Sequence, residues 1–122
     1  MGNAINWFEI PVKDFERAKV FYETVMEWTI NESISGDCRM GLFPNETGKV
    51  SGAIVAGPRH TPSPNGTIVY LNCNPNMDPY LARVEAAGGT ITVPKNEIAP
   101  EMGYWACVTD TEGNRIGFLS QK

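Results

Sequence analysis

The stretch INWFEIPVKDFERAKVFYETV, residues 5–25, changes its apolar period from two to about 3.6 at one residue, Asp14. Before it, Phe8, Ile10 and Val12 alternate with Trp7, Glu9 and Pro11, the pattern of a strand with one face against a core. After it, Phe15, Ala18, Phe21, Tyr22 and Val25 recur at helical spacing. Asp14 stands where its side chain can accept from the free N–H groups of the first helical turn. The chain therefore opens with a strand, an acidic cap and an amphipathic helix.

Outward from this unit, short strands are expected at 28–34, 38–43 and 50–56, with the turn PNETGK at 44–49 between the last two. GPRHTPSPNG, residues 57–66, carries three prolines and reads as a linker. The order then repeats. TIVYLNC (67–73) is a strand, Asp78 with Pro79 opens the helix DPYLARVEAA (78–87), and Gly88-Gly89 closes it. TITVP (90–94), YWACVTD (104–110) and NRIGFLS (114–120) supply three more strands, with TEGN as the last turn.

The repetition has a definite spacing. Laying Trp7 on Ile68, 61 residues on, also lays Thr29-Ile30 on Thr90-Ile91, whereas Gly48 matches Gly113 and Gly52 matches Gly117 at 65. A four-residue insertion in KNEIAPEMG (95–103) reconciles the two. The expected fold is α+β, one domain over 1–122 made of two βαβββ modules, about 3–57 and 67–122, joined by a linker at about 58–66.

Composition agrees with one domain, since 122 residues at 42% hydrophobic content suffice for a single core. A formal charge of −4 argues against phosphate backbones and anionic lipids as partners, so neither nucleic acid nor membrane is expected. Cys38, Cys73 and Cys107 are odd in number, lie in apolar runs and form no CxxC, which reads as buried free thiols. With no signal-like or membrane-spanning stretch at residues 1–12, a cytoplasmic location is expected. No Ser-His-Asp set and no phosphate-cradling glycine loop is present.

FEIPVKDFERAKVFYETVMEW (8–28) resembles the first strand and helix of the vicinal oxygen chelate superfamily, the glyoxalase, bleomycin-resistance and dioxygenase-like proteins. IVYLN (68–72), ARVEAAGGTITVPK (82–95) and DTEGNRIGF (110–118) are similar to that family's second module, so the resemblance covers nearly the whole chain. It implies that each module curls its sheet into half of an open barrel, and that metal-dependent members place ligands on the first and last strands of each module. Those positions fall here on Trp7, Gly52, Ile68 and Gly117, none of which offers a lone pair to a metal. Neither metal nor cofactor is expected. His60, the single histidine, lies in the linker and reads as a solvated loop residue.

The same resemblance turns the Trp7, Glu9, Pro11 face and its counterpart Ile68, Tyr70, Asn72 toward the barrel interior. With Gly52 and Gly117 leaving room, and Trp105 or Cys107 added from the seventh strand, these residues suit a small aromatic or cationic ligand. Glu9 is a carboxylate in a mostly apolar strand, which needs a pairing or water. An ion pair with Arg39 or Arg115 would supply the former. Glu97 and Glu101 sit where a loop can cover the cavity. Three functions follow: a metal-independent small-molecule binding protein, a lyase or isomerase moving protons with Glu9 or Tyr70, or a domain that docks another protein. The resemblance also implies a homodimer.

Overall fold

Every expected element forms in the expected order in the computed structural model, which describes residues 2–122. The first module is β1 (Trp7–Pro11), α1 (Phe15–Met26), β2 (Asn31–Ser35), β3 (Cys38–Leu42) and β4 (Ser51–Ala56). The second is β5 (Val69–Asn72), α2 (Asp78–Val84), β6 (Thr90–Glu97), β7 (Tyr104–Thr109) and β8 (Arg115–Ser120). Each module makes its own four-stranded sheet, ordered β1-β4-β3-β2 and β5-β8-β7-β6. The first and last strands of each module pair parallel and the others antiparallel. The two sheets do not close on one another.

Asp14 caps α1 as its position implies, its side chain accepting from Arg17 N at 3.1 Å. The second helix departs from expectation at both ends. Asp78 lies inside the first turn instead of capping it, Met77 takes the cap position, and Asn76 Oδ1 accepts from Asp78 N at 2.9 Å. The helix stops at Val84, where a wider turn brings Gly89 N to Val84 O at 3.0 Å and Gly88 takes φ +101°. β6 runs three residues past TITVP to Glu97. Pro94 is tolerated there because β6 is an edge strand, and the pairing with β7 shifts register on either side of Val93.

Pairing registers fix which side chains share a face. Phe8 lies opposite Gly52 and Glu9 opposite Ala53 in the first module, while Val69 lies opposite Ile116 and Tyr70 opposite Gly117 in the second. The β4 counterpart of Gly117 is therefore Ala53, 64 residues earlier, and the insertion is three residues rather than four. The glycine in each GxxxG spacing (Gly48/Gly52, Gly113/Gly117) invited the match, but the strands pair one residue out of step with it.

Both helices pack onto one core shared by the modules. Phe21, Tyr22 and Val25 of α1 and Val84 of α2 meet Ile10, Ile54, Leu71, Ile116 and Phe118, all of them buried. Each such side chain contributes roughly 1.5–3 kcal/mol of transfer free energy.

A polar latch joins the modules beside this core. The β7–β8 turn reaches across to the β1–α1 junction, where the fully buried Glu112 carboxylate accepts from Lys13 N (2.9 Å), Asp14 N (2.7 Å) and Arg17 Nε (2.7 Å). Tyr22 donates its hydroxyl to Asp110 Oδ2 at 2.6 Å, and Asn114 Nδ2 donates to Pro11 O at 2.7 Å. Burial and the neighbouring Asp110 carboxylate together push the Tyr22 hydroxyl well above the usual phenol range, so it stays a donor. A turn that reads as a plain hairpin connection thus holds the two halves together.

Candidate functional site

In each sheet one face is covered by the helices and the other is open. On the first sheet the open face carries Trp7, Glu9 and Pro11 of β1, exposed or half-buried, beside a small second cluster in which Cys38, Ala53 and Val55 are buried and Met40 and Leu42 are half-buried. On the second it carries Tyr70 and Asn72 of β5, Gly117 and Leu119 of β8, and Trp105 and Cys107 of β7. Trp7 and Tyr70 are left 43% and 44% exposed, each on the edge strand of its sheet. Ile68 is half-buried just ahead of β5, Asn72 is exposed, and Trp105 is half-buried.

The two glycines behave differently from one another. A Cβ on Gly52 would run into the Phe8 backbone oxygen and ring, so Gly52 lies on the helix-covered side and does not border the open face. Gly117 does border it, but the Tyr70 ring occupies the space a Cβ would take. What Gly117 allows is the close seating of Tyr70.

Glu9 finds a different neighbour from either arginine. Arg39 binds Glu32 and Glu16 and lies over the Phe15 ring, and Arg115 turns its guanidinium toward Cys107 Sγ at 3.8 Å. It is His60 whose Nε2 meets Glu9 Oε1 at 2.9 Å, while Trp7 Nε1 lies 3.4 Å from Glu9 Oε2. His60 is no solvated loop residue, its side chain being only 20% exposed. The linker begins with a tight turn, His60 N donating to Gly57 O at 3.1 Å, that folds the imidazole back along the sheet. Arg59 fixes the same segment through two bonds to Asp37, 2.9 and 3.1 Å long, and its guanidinium holds the Asp37 carboxyl below its usual range. A lone histidine among prolines has no periodic partner, so only the turn formers of GPRH hinted at this return.

Cys38 lies near this turn, but burial first and then the adjacent Asp37 push its thiol up, which leaves it without nucleophilic thiolate character. Burial likewise pushes Cys73 up to about 12. All three cysteines are free and buried.

A transition metal does not fit the family's ligand positions. Trp7, Ile68 and Gly117 have no donor, and the β4 residue on the open face is Ala53, no better than Gly52. Among the described residues no three His, Cys, Asp or Glu side chains converge. Two concavities lie away from Trp7 and Tyr70. An open notch of about 640 Å³ beside the start of α1 is lined by Lys13, Asp14, Glu16, Arg17 and Arg39, where Arg17 and Arg39 are already paired with carboxylates. A smaller one of about 90 Å³ lies in the seam between the modules, bordered by Glu9, Ser63, Asn114 and Arg115. No helix among the described residues is long and apolar enough to cross a membrane.

Comparison with known proteins supports the same family. Among solved structures, TnmS3, an antibiotic binding protein from Streptomyces sp. CB03234, superposes with a TM-score of 0.70 at 22% identity, over 98% of this chain and 97% of that one. A glyoxylase/bleomycin resistance protein/dioxygenase domain from Frankia sp. EAN1pec gives 0.75 at 13% identity over the whole of both chains. A glyoxalase/bleomycin resistance protein from Streptomyces sp. CB03234 gives 0.68 at 25% identity, over 93% of this chain and 97% of that one. No curated protein sequence matches. The family model described as Glyoxalase/Bleomycin resistance protein/Dioxygenase superfamily matches residues 4–118, and the chain belongs to that superfamily.

Proposed function

We propose that this protein binds a small aromatic or cationic molecule on the open face that carries Trp7, Glu9 and Tyr70, without a metal and within the cytoplasm. The observation that carries this reading is the pair of half-exposed aromatics, Trp7 and Tyr70, on the matching strands β1 and β5. Aromatic side chains turned away from a core and left half wet offer stacking surface at little conformational cost. Ile68, Asn72, Trp105 and the small Gly117 complete the proposed binding residues. The antibiotic-binding activity named for TnmS3 supports a role in ligand capture, and a net charge of −4 favours a cationic ligand over nucleic acid.

Because the two sheets of one chain remain open, we infer that a second copy covers the ligand in a homodimer. Sedimentation is expected to give twice the chain mass. Thermal melts against a panel of planar aromatic and cationic compounds test the binding. A true ligand at about a hundred times its Kd adds roughly 2.7 kcal/mol, enough to raise Tm by about 10 °C. Trp7→Ala is expected to weaken binding of that compound at least about tenfold, the scale of one lost stacking contact. Unchanged affinity in both Trp7→Ala and Tyr70→Ala would rule out this face.

A second reading, a metal-independent lyase or isomerase, is favoured by one observation, the 2.9 Å contact of a carboxylate and an imidazole on that face. Under it Glu9 or Tyr70 transfers a proton. Turnover of the bound compound that disappears in Glu9→Gln or Tyr70→Phe would select it, and recovery of unaltered compound after long incubation would reject it.

A further inference from the structure

We infer that Glu9 and His60 form a single anionic anchor that makes the open face select a planar cation, with His60 as the residue that positions the Glu9 carboxylate. The inference rests on the ligand-binding reading and specifies what the ligand must carry.

The argument starts from the two ends of the imidazole. Nε2 lies 2.9 Å from Glu9 Oε1. Nδ1 is shut off from solvent and, among the described residues, has no hydrogen-bonding group within reach. It faces the turn, where a Cβ on Gly57 would lie 3.5 Å from it. The tautomer follows from these surroundings. Nε2–H donates to the carboxylate and Nδ1 keeps a bare lone pair, because a proton on Nδ1 would make a buried donor with no acceptor. The negative charge of the anchor resides on the Glu9 carboxylate, whose Oε1 the Nε2–H holds in place.

The anchor is also aimed. His60 holds Oε1, and among the described residues Oε2 has only the long 3.4 Å contact from the Trp7 indole. Oε2 thus keeps accepting capacity beside the exposed Trp7 ring, and the Glu9 side chain is 37% exposed. Neither neighbouring arginine is ion-paired with Glu9 among the described residues. Arg59 is bound twice to Asp37, and Arg115, which borders the same seam as Glu9, turns its guanidinium toward Cys107 Sγ. A flat cation stacked on Trp7 would meet both the negative face of the indole and the carboxylate beside it. A neutral flat molecule would gain only the stacking.

The test compares 1-methylquinolinium with its neutral counterpart quinoline near neutral pH, by isothermal titration of the full-length protein. The cation is expected to bind roughly tenfold tighter, and Glu9→Gln to bring the two affinities together. His60→Phe keeps a ring on the turn but removes the donor, and is expected to cut the preference at least about threefold, the cation losing more affinity than quinoline. A merely structural role for His60 would lower both affinities alike, which overturns the inference. Equal binding of the two compounds by the native protein overturns the anchor and leaves the binding face standing. No binding of either overturns both. Because His60 is the only histidine, its ring nitrogens can be read by ¹⁵N NMR without any variant. The Nε2–H tautomer is expected, and an Nδ1–H tautomer or an imidazolium near neutral pH would defeat the proposal.

Discussion

Replacing Glu112 by alanine is expected to lower stability by about 3 kcal/mol, a fall in Tm of roughly 10 °C. The side chain is fully buried and accepts from two backbone N–H groups at the β1–α1 junction, from Arg17 Nε and from the Thr111 hydroxyl at 3.0 Å. Alanine leaves Lys13 N and Asp14 N without their acceptor and opens the seam between the modules. The loss also has a pH signature. Burial by itself would raise the Glu112 carboxyl, but the bonds from Arg17, Asp14 N, Lys13 N and Thr111 hold it at about 2. A carboxyl depressed in the folded state contributes stability in full above its unfolded value of about 4.3, and that contribution fades as pH falls toward the folded value. Urea unfolding of the native protein and Glu112→Ala should show a wide gap near about pH 6 that narrows by about pH 3. A gap of equal width at both would mean that packing, and not the ionised latch, accounts for the loss.

The order of elements was readable because each change of apolar period coincides with a cap or a turn former, as at Asp14 and at Gly88-Gly89. The latch was not readable. Glu112 sits in a turn whose TEGN sequence explains itself locally, and nothing nearby signals that its side chain will be buried against residues almost a hundred positions away. Trp7 and Tyr70 could be placed on the open face because strand alternation runs reliably within β1 and β5. The relation between strands was harder, since register depends on bulges and hairpin lengths. The longer β6–β7 hairpin moved β8 by one residue relative to the alignment of its glycines, and one residue reverses a face. His60 was missed for a related reason, because a turn alone brings it back to Glu9.

That register can be tested directly with two alanine substitutions that sequence alone would treat as equivalent. Gly52→Ala is expected to cost about 3 kcal/mol, because its Cβ meets the Phe8 backbone oxygen and ring where two strands pair in parallel, and the backbone has nowhere to yield. The nearest atoms to a Cβ on Gly117 belong to the ring of Tyr70, a residue 44% exposed whose side chain can turn outward, so the cost of Gly117→Ala should be the smaller, about 1 kcal/mol. The functional effects should run the other way. Displacing Tyr70 reshapes the open face, so Gly117→Ala is expected to weaken any aromatic ligand several-fold, on the scale of one disturbed stacking contact. Gly52→Ala protein that remains folded at low temperature should keep its affinity. Denaturant melts and ligand titrations on the same two proteins separate the cases. If the two variants lose similar stability, or if Gly52→Ala is the one that loses binding, then the faces of β4 and β8 have been assigned in the wrong register. In that event the open face would have to be redrawn with Gly52 in place of Ala53.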